Sequence, residues 1–202
     1  MIKQFVSLTA VFLFFSSCVV YGFEMNEFNK NYSFVVGQKN LDSDDWNTLD
    51  KQPEIGLEFD AAKNHWPVNA VLGIIYSKKN NTAFSTYFSG SKLEFIKYDL
   101  EASTIEIYGG IKKIFRSYEE KTYHPFVAGG ITSIYGKLKN ELERTISDST
   151  IGVWMSAGIN FMLGEKYFLG GLLRYSSGKL SFQGRDVHGG GSHYMFSVGM
   201  HF

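Results

Sequence analysis

The last ten residues of the chain alternate strictly between two kinds of side chain. In His193-Tyr194-Met195-Phe196-Ser197-Val198-Gly199-Met200-His201-Phe202, the even positions hold Tyr, Phe, Val, Met and Phe. The odd positions hold His, Met, Ser, Gly and His. Successive side chains leave a β-strand on opposite faces, so a period of two means a strand with one apolar face and one small or polar face. No helical period competes with it.

The pattern recurs along the chain. Trp66, Val68, Ala70, Leu72, Ile74 and Tyr76 form one row, and Asn69, Val71, Gly73, Ile75 and Ser77 the other. Ile151, Val153, Met155, Ala157, Ile159, Phe161 and Leu163 alternate with Gly152, Trp154, Ser156, Gly158, Asn160 and Met162. Tyr167, Leu169, Gly171, Leu173 and Tyr175 alternate with Phe168, Gly170, Leu172, Arg174 and Ser176. Shorter versions run through Tyr32–Gly37, Ile55–Asp60 and Ile105–Lys112, and Val127, Gly129, Ile131 and Tyr135 share a row. The spacing predicts eight strands, near 31–39, 53–61, 66–77, 103–115, 123–136, 150–163, 166–178 and 192–202. Each is about as long as a membrane-crossing strand, roughly 9–11 residues.

Connections alternate as well. Those near 62–65, 116–122 and 164–165 are short, and those near 40–52, 78–102, 137–149 and 179–191 are long. Short turns on one side and long loops on the other are expected of a transmembrane barrel with both termini on the short-turn side. Sixteen strands would need about 160 strand residues, so a large diffusion pore is excluded. A ten-stranded version stays open, because Lys92 to Leu100 could pair inside the second long loop.

The beginning of the chain reads as an address. Residues 1–22 have Lys3 as their only charge, then an apolar run from Phe5 to Phe15, then Val20-Tyr21-Gly22. That is the layout of a cleaved signal peptide, with 23–202 as the barrel domain. The alternatives are an uncleaved anchor, or lipoprotein processing at Cys18, where Phe15 stands in place of the usual Leu. Cleavage after Gly22 would remove the single cysteine. A cysteine-free chain suits an oxidising compartment. With 20 basic against 20 acidic residues the sequence has no electrostatic footprint for nucleic acid.

The direction of the apolar rows separates a membrane barrel from a soluble one. Aromatic residues sit near both ends of those rows: Trp66 with Tyr76, Tyr167 with Tyr175, Tyr194 with Phe202. The opposite rows hold Lys39, Glu54, Glu58, Asp60, Glu106, Lys112, Arg174 and His201. Two aromatic girdles around an apolar band place the apolar rows outside, in lipid, whereas a lipocalin-like barrel would turn them inward.

These features resemble the small outer-membrane β-barrel proteins of bacteria, the eight-stranded group that includes OmpA-like, OmpX-like and OmpW-like members. The resemblance spans 23–202. It rests on the Phe202-terminated strand, on Pro125-Phe126-Val127-Ala128-Gly129-Gly130 and on Gly170-Gly171-Leu172-Leu173-Arg174-Tyr175. It implies an all-β, eight-stranded antiparallel up-and-down transmembrane barrel in the bacterial outer membrane. It also implies that Tyr194, Phe196, Val198, Met200 and Phe202 form the signal read by the barrel-assembly machinery. The partners implied are outer-membrane lipids and lipopolysaccharide, with the barrel a monomer acting through its exposed loops. A narrow OmpW-like channel for small solutes is the alternative.

An eight-stranded lumen is just wide enough for side chains to fill. Tyr108, Trp154, Met162 and Phe168 are expected to plug it, and Glu58, Glu106, Lys112 and Arg174 to form an interior polar network. No catalytic residue, cofactor or metal site is expected. Among His65, His124, His188, His193 and His201, the nearest serine pair is Ser192-His193. Strand neighbours point to opposite faces, so these two should not bond each other. The His-x-Ser arrangement of lipid A deacylases is absent, which leaves a lipid-modifying enzyme the least favoured reading. Asp42, Asp44, Asp45, Asn47 and Asp50 surround Trp46 without the Gly and closing Glu of a calcium loop, and read as a solvated acidic loop. Val187-His188-Gly189-Gly190-Gly191 reads as a flexible turn.

Overall fold

A computed structural model describes residues 28–89, 92–115, 122–140, 145–182 and 184–202. The residues of the expected signal peptide, Cys18 among them, lie outside the described residues. Eight strands close into an antiparallel barrel: β1 (Phe28–Asn40), β2 (Lys51–Lys63), β3 (Asn69–Ser89), β4 (Lys92–Ile114), β5 (Tyr123–Asn140), β6 (Ile146–Leu163), β7 (Tyr167–Ser177) and β10 (Ser192–His201). A single helical turn, α1 (Ser43–Trp46), and a 3-10 turn (Asn47–Leu49) lie between β1 and β2. Two short strands, β8 (Lys179–Phe182) and β9 (Arg185–His188), form a separate hairpin between β7 and β10.

Each strand neighbours its sequence neighbour, and β10 returns to β1 with Asn31 opposite His201 and Asn40 opposite Ser192. Closure removes the sheet edges, so the ladder groups are bonded within the wall, as hydrocarbon surroundings require. The Phe202 amide and carbonyl bond to the carbonyl and amide of Lys30, both at 2.8 Å, and extend the seam by one residue. The Tyr32 and Phe202 rings meet edge-on across it at 5.8 Å.

Row directions follow the alternation. Tyr32, Leu57, Leu72, Ile131, Val153, Leu173 and Phe196 face outward, with Phe196 74% exposed. Between the two aromatic belts the outward positions of the described strands are uncharged save Lys113, which stands next to the turn-end belt and donates to the Pro67 carbonyl at 2.6 Å. From Tyr194 to Phe202 the strand rises about 27 Å along its length, roughly 20 Å along the barrel axis at a ~40° tilt. A closed sheet with such a band belongs in lipid.

Four expectations need correction. Trp66 to Val68 are not strand: β3 starts at Asn69, and Trp66 sits in the turn after His65, whose φ is +77°. The connection expected at 78–102 is largely ladder, because Asn81 to Ser89 pair with Lys92 to Leu100 as a continuation of β3 and β4. These pairs lengthen the hairpin without adding wall strands, so the barrel has eight. Likewise β5 and β6 run on, to Asn140 and from Ile146, through much of 137–149. Beyond the membrane a strand needs no apolar row, so its period weakens in the sequence while its ladder persists. Lastly, residues 185–188 are strand β9, and the glycines after them are tightly packed. A Cβ on Gly190 would lie 2.2 Å from the Ser176 carbonyl oxygen.

Candidate functional site: the filled interior and the capped mouth

The inward rows fill the lumen in three layers. Nearest the mouth, Glu106 of β4 is the hub. Lys39 of β1 donates to it at 2.7 Å, Ser176 of β7 at 3.0 Å and Arg174 of β7 at 3.4 Å. Lys39 also donates to the Thr104 hydroxyl at 3.1 Å. Ser77 extends the chain, meeting Thr104 at 2.6 Å and donating to Gln52 at 2.8 Å. His193 of β10 stands between carboxylates: its Nδ1 is 2.8 Å from Glu54 Oε2, and its Nε2 is 3.0 Å from Ser176 Oγ and 3.6 Å from Glu106. All these groups are buried. Charges removed from water are tolerated when paired and hydrogen-bonded, which explains the clustering of oppositely charged rows from β1, β2, β4, β7 and β10.

The middle layer is aromatic. The Arg174 guanidinium lies over the Tyr108 ring at 3.8 Å and the Trp154 ring at 4.4 Å, and the two rings meet at 4.9 Å. Val35, Val71, Ile75 and Met195 pack around them. Space for the phenol comes from Gly73: a Cβ there would stand 2.3 Å from Tyr108 Cζ. Trp154 satisfies its indole N–H on the Gly109 carbonyl at 3.2 Å, as a buried indole should.

The third layer lies toward the turns. Lys112 donates to Glu58 at 2.8 Å and to Asp60 at 3.0 Å, and sits 4.4 Å from the Phe126 ring centre. Tyr108 donates to Glu58 at 2.9 Å, and Asn31 to Asp60 at 2.6 Å. His201 bonds Asn31 at 2.7 Å. Below this layer the lumen opens into a polar vestibule of about 340 Å³, lined by Asn29, His65, Asn69 and Lys113 among others.

Glu58 and Lys112 therefore meet each other, and Glu106 and Arg174 meet each other, in separate layers. Tyr108 bridges them, its hydroxyl on Glu58 and its ring beneath Arg174. Lys39, Glu54, Asp60 and His193 are equal members of these clusters. Their inward parity is visible in the sequence, but their partners depend on barrel closure. Phe168 is buried with its ring against Gly199, and Met162 is half-buried.

The mouth is capped. The β8–β9 hairpin turns Leu180, Phe182 and Val187 onto Leu41, Trp46 and Leu49 of the first connection, with Ala102 and Ile134 of the wall beneath. Leu180 and Ile134 are completely buried, and each such side chain is worth about 1.5–3 kcal/mol relative to exposure. Polar clamps fix the cap. Trp46 Nε1 donates to the His188 carbonyl at 2.7 Å, and Lys39 Nζ to the Gly189 carbonyl at 2.8 Å. The Ser181 amide donates to Asp148 at 2.6 Å. Asp45 accepts the His188 amide at 2.7 Å, so the acidic segment is folded into the cap around a buried Trp46.

A serine, a histidine and a carboxylate do come together, although not through Ser192. Ser176, His193 and Glu54 lie in line at hydrogen-bonding distance because β7 pairs with β10, with His193 opposite Arg174. This set was missed in the sequence because its members come from three strands. The set is buried and hydrogen-bonded into the core, although Glu54 Oε1 has no partner among the described residues. The hydroxyl donates to Glu106, receives the Gly191 amide at 3.4 Å and is sealed from solvent.

The outward row Tyr194, Phe196, Val198, Met200 and Phe202 lies on the exposed face of the closing strand. Tyr76, Tyr135 and Tyr175 join Tyr194 in the belt at the mouth end, while Phe115, Tyr123, Phe161, Tyr167 and Phe202 form the one at the turn end.

Known structures share this architecture. The neisserial surface protein A matches with a TM-score of 0.55 at 10% identity, covering 87% of this chain and 97% of that one. A major outer membrane protein from Thermus thermophilus matches with 0.56 at 8% identity, covering 87% and 99%. Ail, the attachment invasion locus protein of Yersinia pestis, crystallised with the heparin analogue sucrose octasulfate, matches with 0.52 at 12% identity, covering 87% and 97%. At these identities the likeness is one of fold: the chain has the fold of small eight-stranded outer-membrane barrels. No protein-family model matches the sequence, and no curated protein does.

Proposed function

We propose that this protein is a monomeric integral barrel of the bacterial outer membrane, exported by a signal peptide at residues 1–22. In this reading its extracellular hairpins contact other surfaces while its lumen stays closed to solutes. The observation that carries it is the combination of a filled lumen with an apolar cap. Charge pairs occupy two layers, aromatic rings the third, and Leu180, Phe182 and Val187 cover the mouth. The termini and short turns then face the periplasm, and the long β3–β4 hairpin stands out on the cell surface.

Lipopolysaccharide is the partner best matched by the outer surface at that end. Lys78 and Lys137 follow Tyr76 and Tyr135 by two residues, with Lys139 two further on. Cations immediately beyond an aromatic belt suit phosphate groups at the head-group level. The Ser176 hydroxyl is buried and donates to Glu106, which supports a role without catalysis. Planar-bilayer recording of the purified barrel tests the reading. The expected trace is silent. A steady conductance that persists after Arg174→Ala or Glu58→Ala would replace it with the narrow-channel alternative.

A further inference from the structure

Where the cap meets the first connection, three ligating side chains converge from segments far apart in sequence. His188 ends β9, and its main chain is held on both sides: its amide donates to Asp45 and its carbonyl accepts from Trp46. Its imidazole forms no hydrogen bond or ion pair with any described residue. Asp42 is oriented by accepting the Asp44 amide at 3.0 Å. One ligand atom each from Asp42, Asp45 and His188 lies within 4.8 Å of the others. A cavity of about 290 Å³, lined in part by Asn40, Asp42, His188 and Ser192, opens beside them.

We propose that Asp42, Asp45 and His188 bind a divalent transition-metal ion of the zinc class, in a three-ligand site completed by water from the cavity. One imidazole with two carboxylates matches a borderline cation better than calcium, which takes six to eight oxygen ligands. Zinc ligands at 2.0–2.2 Å from the ion are about 3.4 Å apart in a tetrahedron, so atoms within 4.8 Å of one another must close by up to about 1.4 Å. Side-chain rotation supplies that movement, since Asp42 and His188 are exposed and Asp45 is half-buried. The bound ion would tie the cap hairpin to the first connection. It would therefore favour the closed mouth over any state in which β9 leaves α1.

The test uses the untagged full chain purified in detergent, stripped of metal and titrated with zinc chloride by calorimetry. Cobalt(II), followed by its visible absorption, reports the ligand set independently. One equivalent of zinc is expected to bind, unaffected by millimolar magnesium or calcium. His188→Ala should abolish the event and Asp42→Asn weaken it at least tenfold, at or above the cost of losing an outer-shell partner. His65→Ala, at the opposite end of the barrel, should leave it intact. Each variant's fold is checked by its gel mobility before and after boiling. Absence of a saturable one-equivalent event in the wild type overturns the site, as does wild-type affinity in His188→Ala or Asp42→Asn.

Discussion

Replacing Glu106 by Gln tests whether the interior is held together by charge pairing. The substitution keeps the shape and removes one negative charge from a site 1% exposed. Lys39 at 2.7 Å and Arg174 at 3.4 Å then lose their shared counter-ion, and neither can reach water. Breaking a buried ion pair from one side costs about 3–5 kcal/mol, because the remaining charge stays desolvated. Glu54 compensates little, since its contact in this layer is His193. Loss of about 3–5 kcal/mol is therefore expected for Glu106→Gln in urea-induced unfolding from lipid vesicles. The double variant Lys39→Met with Glu106→Gln should recover about 1–3 kcal/mol of non-additive coupling. Glu101→Gln, which breaks only the exposed pair with Lys78, should leave the unfolding midpoint unchanged. If Glu106→Gln falls within about 1 kcal/mol of wild type, the lumen is hydrated enough to solvate the two cations, and the closed-interior argument fails.

Three further outcomes follow from the same geometry. Val198 lies midway between the belts, so Val198→Arg should destabilise the barrel by about 2–4 kcal/mol and Tyr194→Arg by about 0–1, and equal effects in vesicle unfolding would place the band elsewhere. Gly73→Val should cost about 1–3 kcal/mol or more by driving Tyr108 off Glu58, and an unchanged stability would show that the ring moves freely. A fluorophosphonate probe should leave Ser176 unlabelled in the folded barrel, and labelling detected by mass spectrometry would mean that the Ser176, His193 and Glu54 set is reachable from outside.

The sequence by itself determined the wall. An apolar row repeated every second residue can be buried only by a sheet, and rows with aromatic ends specify which face meets lipid. The count of eight rather than ten strands was settled by the pairing of Asn81–Ser89 with Lys92–Leu100. The inward set containing Glu58, Glu106, Lys112 and Arg174 is equally visible, because parity carries across each strand. Tertiary structure alone decided which charges meet. Lys39 finds Glu106 across 67 residues, and His193 finds Glu54 across 139, because closure and strand stagger bring those rows to one height. The cap was also beyond the local pattern. Leu180, Phe182 and Val187 lie among turn-forming glycines, and only the mouth of the finished barrel, with Trp46 beneath them, offers a surface on which so short a hairpin can bury its apolar face.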